Sequence, residues 1–137
     1  METVTLELAI APVAALPAPS DPVWQQWLSP AELAYCHGLR QAGEHLAARA
    51  VGKQAAASAV GWPGPVPWPD LEIRRQPDCA PDLVVVGDLR QWCYDQGFST
   101  PGLSLSHAGG HAAALAWTTP EVGQHAPAGT TAEVSRP

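Results

Sequence analysis

Between Val4 and Ile10 the chain alternates, with Val4, Leu6, Leu8 and Ile10 on one face and Glu7 on the other, the period of a half-buried strand. A Pro-rich connection, "LPAPSDP", follows, after which Ser20 or Asp21 can cap a short helix with Pro22 in its first turn and Trp24, Trp27 and Leu28 as apolar anchors. "SPAE" then reads as a capping box: Ser29 precedes Pro30, Glu32 stands three residues on, and Leu33 and Cys36 supply the buried stripe of a helix running to about His37. The longest periodic segment is "GEHLAARAVGKQAAASAVG", where Leu46, Ala50, Ala57 and Val60 share a helical stripe that Gly61 ends. Its alanines predict close packing. "LEIRR" and "DLVVVG" are two strand-like runs joined by "QPDCAP", a connection of hairpin length. "DLRQWCYDQG" predicts a short helix with Asp88 as cap, Leu89, Trp92 and Cys93 inward and Gly97 as terminator. Finally, "GLSLSHAGGHAAALAW" reads as a hairpin about a Gly-Gly turn.

Composition bounds what these elements build. A chain of 137 residues that is 46% hydrophobic predicts one domain with a genuine core. The segment after Thr118 is rich in Pro, Gly, Thr and Ala without periodicity, so residues 1–118 are expected to form the domain and 119–137 a disordered tail. The first residues lack a basic cluster and carry Glu7 and Pro12 within their apolar part, which predicts neither a signal peptide nor a spanning helix but a cytoplasmic protein. Three cysteines without C-x-x-C spacing argue against a disulfide framework or a structural zinc site. The net charge of −6 argues against nucleic acid as a partner, because phosphate neutralisation needs a basic face. The basic residues are nonetheless clustered: none occurs before Arg40, and Arg40, Arg49, Lys53, Arg74, Arg75 and Arg90 all fall mid-chain. An anion site has to be built there.

Two groups carry candidate chemistry. Arg49 and Lys53, four apart, share one edge of the long helix and read first as a solvated charged edge, while Gln54 falls on the alanine stripe, directed at whatever the helix covers. The last hairpin presents Ser104, Ser106 and His107 on its first strand and His111 beyond the turn, where a turn histidine is the simple reading.

Four segments in fixed order, "LAARAVGKQAAASAVG", "WPDLEI", "PDLVVVG" and "SLSHAGGHAAALAW", resemble the holo-acyl-carrier-protein synthase family of 4′-phosphopantetheinyl transferases over about Thr5 to Thr118. "LSPAELAYC" resembles the segment preceding the family's long helix, and Pro81 resembles the proline of its Gly-x-Pro element, with Cys79 in the glycine position. The resemblance implies an α+β fold, a small antiparallel sheet packed on a long helix, assembled as a homo-oligomer, a trimer being favoured, with sites between subunits. It implies that a serine of an acyl carrier protein attacks the β-phosphate of coenzyme A, releasing adenosine 3′,5′-bisphosphate. Lys53 matches the lysine of the family's Lys-Glu pair, with a catalytic and phosphate-binding role, and Arg49 stands one turn before it. Ser104, Ser106 and His107 match the Ser-x-Ser-His element that holds coenzyme A.

The chain departs from the pattern at the implied magnesium site. Gln54 replaces the glutamate of the Lys-Glu pair, and Glu7, without the preceding glycine, is the nearest match to the aspartate of a Gly-x-Asp element on the first strand. Glu7 and Gln54 are thus the candidate metal ligands, with Glu7 also a candidate catalytic group; an amide is a weaker ligand for a hard cation than a carboxylate. The first helix lacks the arginines that dock acidic carrier proteins, leaving Trp24 and Trp27 for an apolar contact. Two readings follow: a divergent transferase, or a repurposed protein that has lost the transfer and binds or processes a coenzyme A- or carrier-tethered intermediate, with Glu7 and His107 as base and acid, or serves as a non-catalytic partner in polyketide- or fatty-acid-type biosynthesis. A metal hydrolase using His37, His45, His107 and His111 is a third class, without compact ligand spacing.

Overall fold

A computed structural model describes residues 4–75 and 80–121. β1 (Leu6–Pro12) is followed by a single 3₁₀ turn, then α1 (Trp24–Trp27), α2 (Pro30–His37) and the long α3 (Ala42–Ala59). β2 (Leu71–Arg74) and β3 (Asp82–Val85) come next, then α4 (Gly87–Asp95) and the hairpin β4 (Gly102–Ala108) and β5 (His111–Trp117). β1, β5 and β4 form a three-stranded antiparallel sheet in that spatial order, while β2 and β3 pair separately. The fold is therefore α+β, with a small antiparallel sheet packed on the long helix.

The local signals act as expected where they depend on neighbours in sequence. Ser29 Oγ accepts from Glu32 N–H and Glu32 Oε1 accepts from Ser29 N–H, the reciprocal capping box that starts α2. Gly109 and Gly110 both have positive φ, 59° and 77°, as a two-residue turn closing a right-twisted hairpin requires. The α4 cap differs from expectation: Asp88 lies inside the helix, and the side chain of Asp70, from before β2, accepts from Leu89 N–H. A carboxylate brought by tertiary folding takes the capping role.

Packing of α3 on the sheet is close because both faces are small. Ala112, Ala114 and Ala116 of β5 are buried against the helix with Ala47, Ala48, Val51 and Ala55, and Ala9 and Ala11 pack beside them. A Cβ at Gly52 would come within 2.8 Å of Leu105, so the closest approach accepts only glycine without rearrangement. This geometry overturns the expected orientation of the first strand. Glu7, Ala9 and Ala11 take the inner face, and Leu6, Leu8 and Ile10 turn outward, 62%, 63% and 59% exposed. Alternation alone fixes two faces, and the alanine stripe of α3 selects the smaller one.

Two other readings of α3 are corrected. Arg49 and Lys53 are buried, 2% and 1% exposed, because α2 and β2 cover the edge expected to be solvated. Gln54 is exposed, at the rim between helix and sheet. Pairing also extends past Thr118. Thr119 accepts from Ser99 N–H, Pro120 bridges Phe98, and Glu121 N–H donates to Gly97, so ordered pairing continues to Glu121. Residues 122–137 and Cys79 lie outside the described residues.

Candidate active site

Successive turns of α3 present His45, Arg49 and Lys53 in one row, since residues four apart share a helix face. At its C-terminal end, Lys53 Nζ donates to Glu32 Oε1 at 2.8 Å and to the carbonyl of Trp27 at 2.9 Å. Glu32 is engaged on every side: Oε1 also accepts from Ser29 N–H, and Oε2 accepts from Ile73 N–H at 2.8 Å. Burial pushes the Lys53 ammonium below its ordinary pKa, and the Glu32 carboxylate opposes that shift. Lys53 therefore ties α3 to α1, α2 and β2. It does not lie on the open edge that its spacing with Arg49 predicts.

The other end of the row is less fully paired. The Arg49 guanidinium lies 4.7 Å over the Tyr35 ring, and its buried Nε has no hydrogen-bond partner. His45 stands edge-on between Tyr35 and His107, its centroid 4.6 Å from that of His107. Glu44 Oε1 is 2.9 Å from His107 Nδ1, which orients the second imidazole. Burial lowers the His45 pKa, and His107 and Arg49 lower it further. An unpartnered guanidinium nitrogen behind two imidazoles is a cradle suited to an anion. Spacing had singled out Arg49 and His107. Glu44 and Tyr35 were missed, because Tyr35 reaches the row from α2 and Glu44 reads in sequence only as a first-turn acid.

Ser104 and Ser106 do not join this cluster. The register pairs Ser104 with Leu115 and Ser106 with Ala113, placing both serines on the outer sheet face with Leu8 and Ile10, while His107 lies opposite Ala112 on the inner face. The Ser-x-Ser-His element is divided by the strand's own period of two. His111 lies at the turn, with Nδ1 3.1 Å from the carbonyl of Gly109. Trp24, 2% exposed, is unavailable as a docking residue, whereas half-buried Trp27 stacks on Trp68 at 5.0 Å along a groove of about 420 Å³.

At the α3–β1 rim, Glu7 Oε1 accepts from Ser58 Oγ at 3.0 Å. Near the other end, a Cβ at Gly43 would lie 3.6 Å from Val13, so the strand runs antiparallel to the helix. One helical turn back from Ser58 is Gln54, and that rise of about 6 Å corresponds to about two strand residues. Ala9, two residues after Glu7 on the same face, is therefore level with Gln54. The expected pairing of Glu7 with Gln54 is corrected by one turn. By this spacing a methyl group stands level with a neutral amide, and this donor set does not fit magnesium, which calls for carboxylate oxygens. Among the described residues no group of three or more His, Cys, Asp or Glu is placed to hold a metal ion, the four histidines considered above included.

No family model matches the chain. Curated relatives do: it is 42% identical over 78 residues to holo-acyl-carrier-protein synthase of Salinispora arenicola (57% of this chain, 64% of that relative). It is 37% identical over 89 residues to that of Moorella thermoacetica (64% and 70%) and 35% identical over 102 residues to that of Anaeromyxobacter dehalogenans strain 2CP-1 (74% and 79%). Among solved structures, the synthase of Neisseria meningitidis superposes with a TM-score of 0.71 at 22% identity, covering 83% of this chain and 96% of that one. The coenzyme A complex of the Chronobacterium ammoniagenes synthase gives 0.70 at 22% identity, covering 87% and 98%. Sequence identity over more than two thirds of the Moorella and Anaeromyxobacter relatives, together with the shared fold, shows that the chain belongs to the holo-acyl-carrier-protein synthase family.

Proposed function

We propose that this chain binds coenzyme A and transfers its 4′-phosphopantetheine group to a serine of an acyl carrier protein. The observation that carries the reading is the Arg49–His45–His107 cluster, a guanidinium with an unpartnered Nε beside two imidazoles, which suits the phosphates of an anionic substrate. In the transfer, the serine oxygen forms a bond to the β-phosphorus as its bond to the bridging oxygen breaks, and adenosine 3′,5′-bisphosphate leaves. His107, held through Nδ1 by Glu44, is the group aligned to take the serine proton, and Arg49 and His45 balance charge on the phosphates. Lys53 and Glu32 hold the helices behind the cradle.

The assembly proposed is a trimer. Leu6, Leu8 and Ile10 with Leu115, 37% exposed, make an exposed apolar face of the kind that another copy covers. Ser104 and Ser106 lie on that face, so a coenzyme A molecule touching them and the inner cradle together would span two subunits. The partner is a carrier protein, its docking contact the Trp27–Trp68 groove. Neither nucleic acid nor a membrane is proposed as a partner; no helix among the described residues is long and apolar enough to cross a membrane. Cys36 and Cys93 are free, buried thiols, which supports placement in the reducing cytoplasm.

A second reading is favoured by one observation, the engagement of Glu7 by Ser58 while the neutral amide of Gln54 is exposed: the coenzyme site is kept, the transfer is lost, and the protein binds or processes a coenzyme A- or carrier-tethered intermediate or acts as a non-catalytic partner. Intact-protein mass spectrometry of apo carrier proteins incubated with coenzyme A and this chain separates the two. Addition of the phosphopantetheine mass by the natural sequence, lost in His107→Ala, is the expected result. Coenzyme A binding without modification of any carrier, the one produced alongside this chain included, would replace the first reading by the second.

A further inference from the structure

We infer that the α3–β1 rim takes no divalent cation and that this chain holds coenzyme A through its own cationic side chains alone. The inference rests on the coenzyme A binding common to both readings above. Glu7 is the one carboxylate brought to this rim by β1, and its Oε1 already accepts from Ser58 Oγ. Level with Gln54, where a second anionic ligand would complete a cation seat, the strand carries the methyl of Ala9, packed against the core beside Ala114 and Ala11. Gln54 itself brings a neutral carbonyl oxygen open to water. A hard cation surrounded by one amide and water gains nothing over its own hydration shell. The charge of the bound phosphates therefore falls to Arg49 and His45, at the far end of the helix row from the paired Lys53.

The test uses Mn²⁺ as the probe, followed by electron paramagnetic resonance with and without coenzyme A and corrected for Mn²⁺ held by free coenzyme A. The natural chain is expected to show no site below about 1 mM, the weak end of protein cation sites. Its coenzyme A affinity, read by calorimetry, is expected to change less than about twofold between excess Mg²⁺ and excess chelator, against the tenfold that one ion pair's worth of free energy represents. The Ala9→Asp/Gln54→Glu variant is expected to acquire a Mn²⁺ site, with folding checked by its circular dichroism and unfolding transition. Should the buried Asp prevent folding, Gln54→Glu alone, at an exposed position, is expected to bind Mn²⁺ more tightly than the natural chain. A sub-millimolar Mn²⁺ site in the natural chain, or a tenfold loss of coenzyme A affinity in chelator, overturns the inference. A folded double variant without a Mn²⁺ site overturns the assignment of Ala9 and Gln54 as the missing ligands. Failure of coenzyme A to bind under either condition removes the functional reading instead, and the Mn²⁺ titration still decides whether the rim holds a cation.

Discussion

Replacing Lys53 by Met keeps the length and most of the volume of the side chain and removes its charge. What remains is a Glu32 carboxylate, 2% exposed, that keeps its Ser29 and Ile73 N–H donors at 2.8 Å each and loses its ammonium. Removing one member of a buried pair costs ~3–5 kcal/mol, and the retained donors place this case near the lower end. The Trp27 carbonyl also loses its donor, at about 1 kcal/mol. A total of about 4 kcal/mol, read with a urea slope of about 2 kcal/mol per molar, lowers the unfolding midpoint by about 2 M. Adding Glu32→Gln removes the stranded charge and leaves an amide oxygen for one backbone donor, so the double variant is expected to recover about 2 kcal/mol of that loss. Coenzyme A affinity, measured without denaturant where the variant is folded, is expected to change less than about threefold, because the Lys53 ammonium is buried and engaged by Glu32 and the Trp27 carbonyl; a direct charged contact would cost about tenfold or more. A midpoint shift corresponding to less than about 1 kcal/mol would show that water reaches the pair. A large affinity loss in a folded variant would return Lys53 to the binding site.

Two further outcomes follow from the geometry. A Cβ at Gly102 would fall 2.0 Å from the Trp117 ring, so Gly102→Ala forces the indole aside on the outer sheet face and is expected to cost ~1–3 kcal/mol in thermal unfolding, with little effect on α3. His45 has a lowered folded pKa, so below about 6.5 the unfolded chain takes up its proton more readily. Stability is then full above that pH and falls as pH drops towards the lowered folded value, a slope that His45→Gln should flatten in unfolding curves collected between pH 7 and 5, taken as roughly the span of histidine titration.

The elements were legible because their signals are local. The Ser29–Glu32 capping box, the Gly109–Gly110 turn and the hairpin register depend on residues a few positions apart, and the structure uses each as spacing predicts. What failed to be legible needed a second element. Whether Leu8 or Glu7 faces inward is undecided by alternation, and the alanine face of α3 decides it. Arg49 and Lys53 at i, i+4 look like a surface pair until α2 covers them, and Glu32 reads only as a cap until its second oxygen meets Ile73 N–H. The sequence resemblance fared similarly. It pointed to Glu7 by residue type, whereas the level of the strand against the helix points to Ala9, and no spacing within β1 alone distinguishes the two.

The row His45, Arg49, Lys53 supports placing the proposed anion site at one end of α3. Three cationic or potentially cationic groups on one helix face repel, and each lowers the cost of bringing an anion near. At Lys53 that anion is built in: Glu32 is supplied by α2 and locked by two backbone donors, so no unmatched charge is left to recruit a ligand. Among the described residues no carboxylate pairs with Arg49; an aromatic face takes one side of its guanidinium and its Nε is unpaired. Burial, then His107 and Arg49 beside it, push His45 towards its neutral form, which means that an arriving phosphate would be met by proton uptake as well as by fixed charge. Coenzyme A binding should therefore strengthen as pH falls through the window in which His45 is neutral in the free protein and charged beside phosphate, the opposite sign to the acid loss of stability in the unliganded chain. A calorimetric series at pH 7.5, 6.5 and 5.5, values chosen to straddle the ordinary histidine pKa of about 6.5, reads both the affinity and the protons taken up. Binding without proton uptake would place the phosphates away from the histidine pair and leave Arg49 as a structural cation.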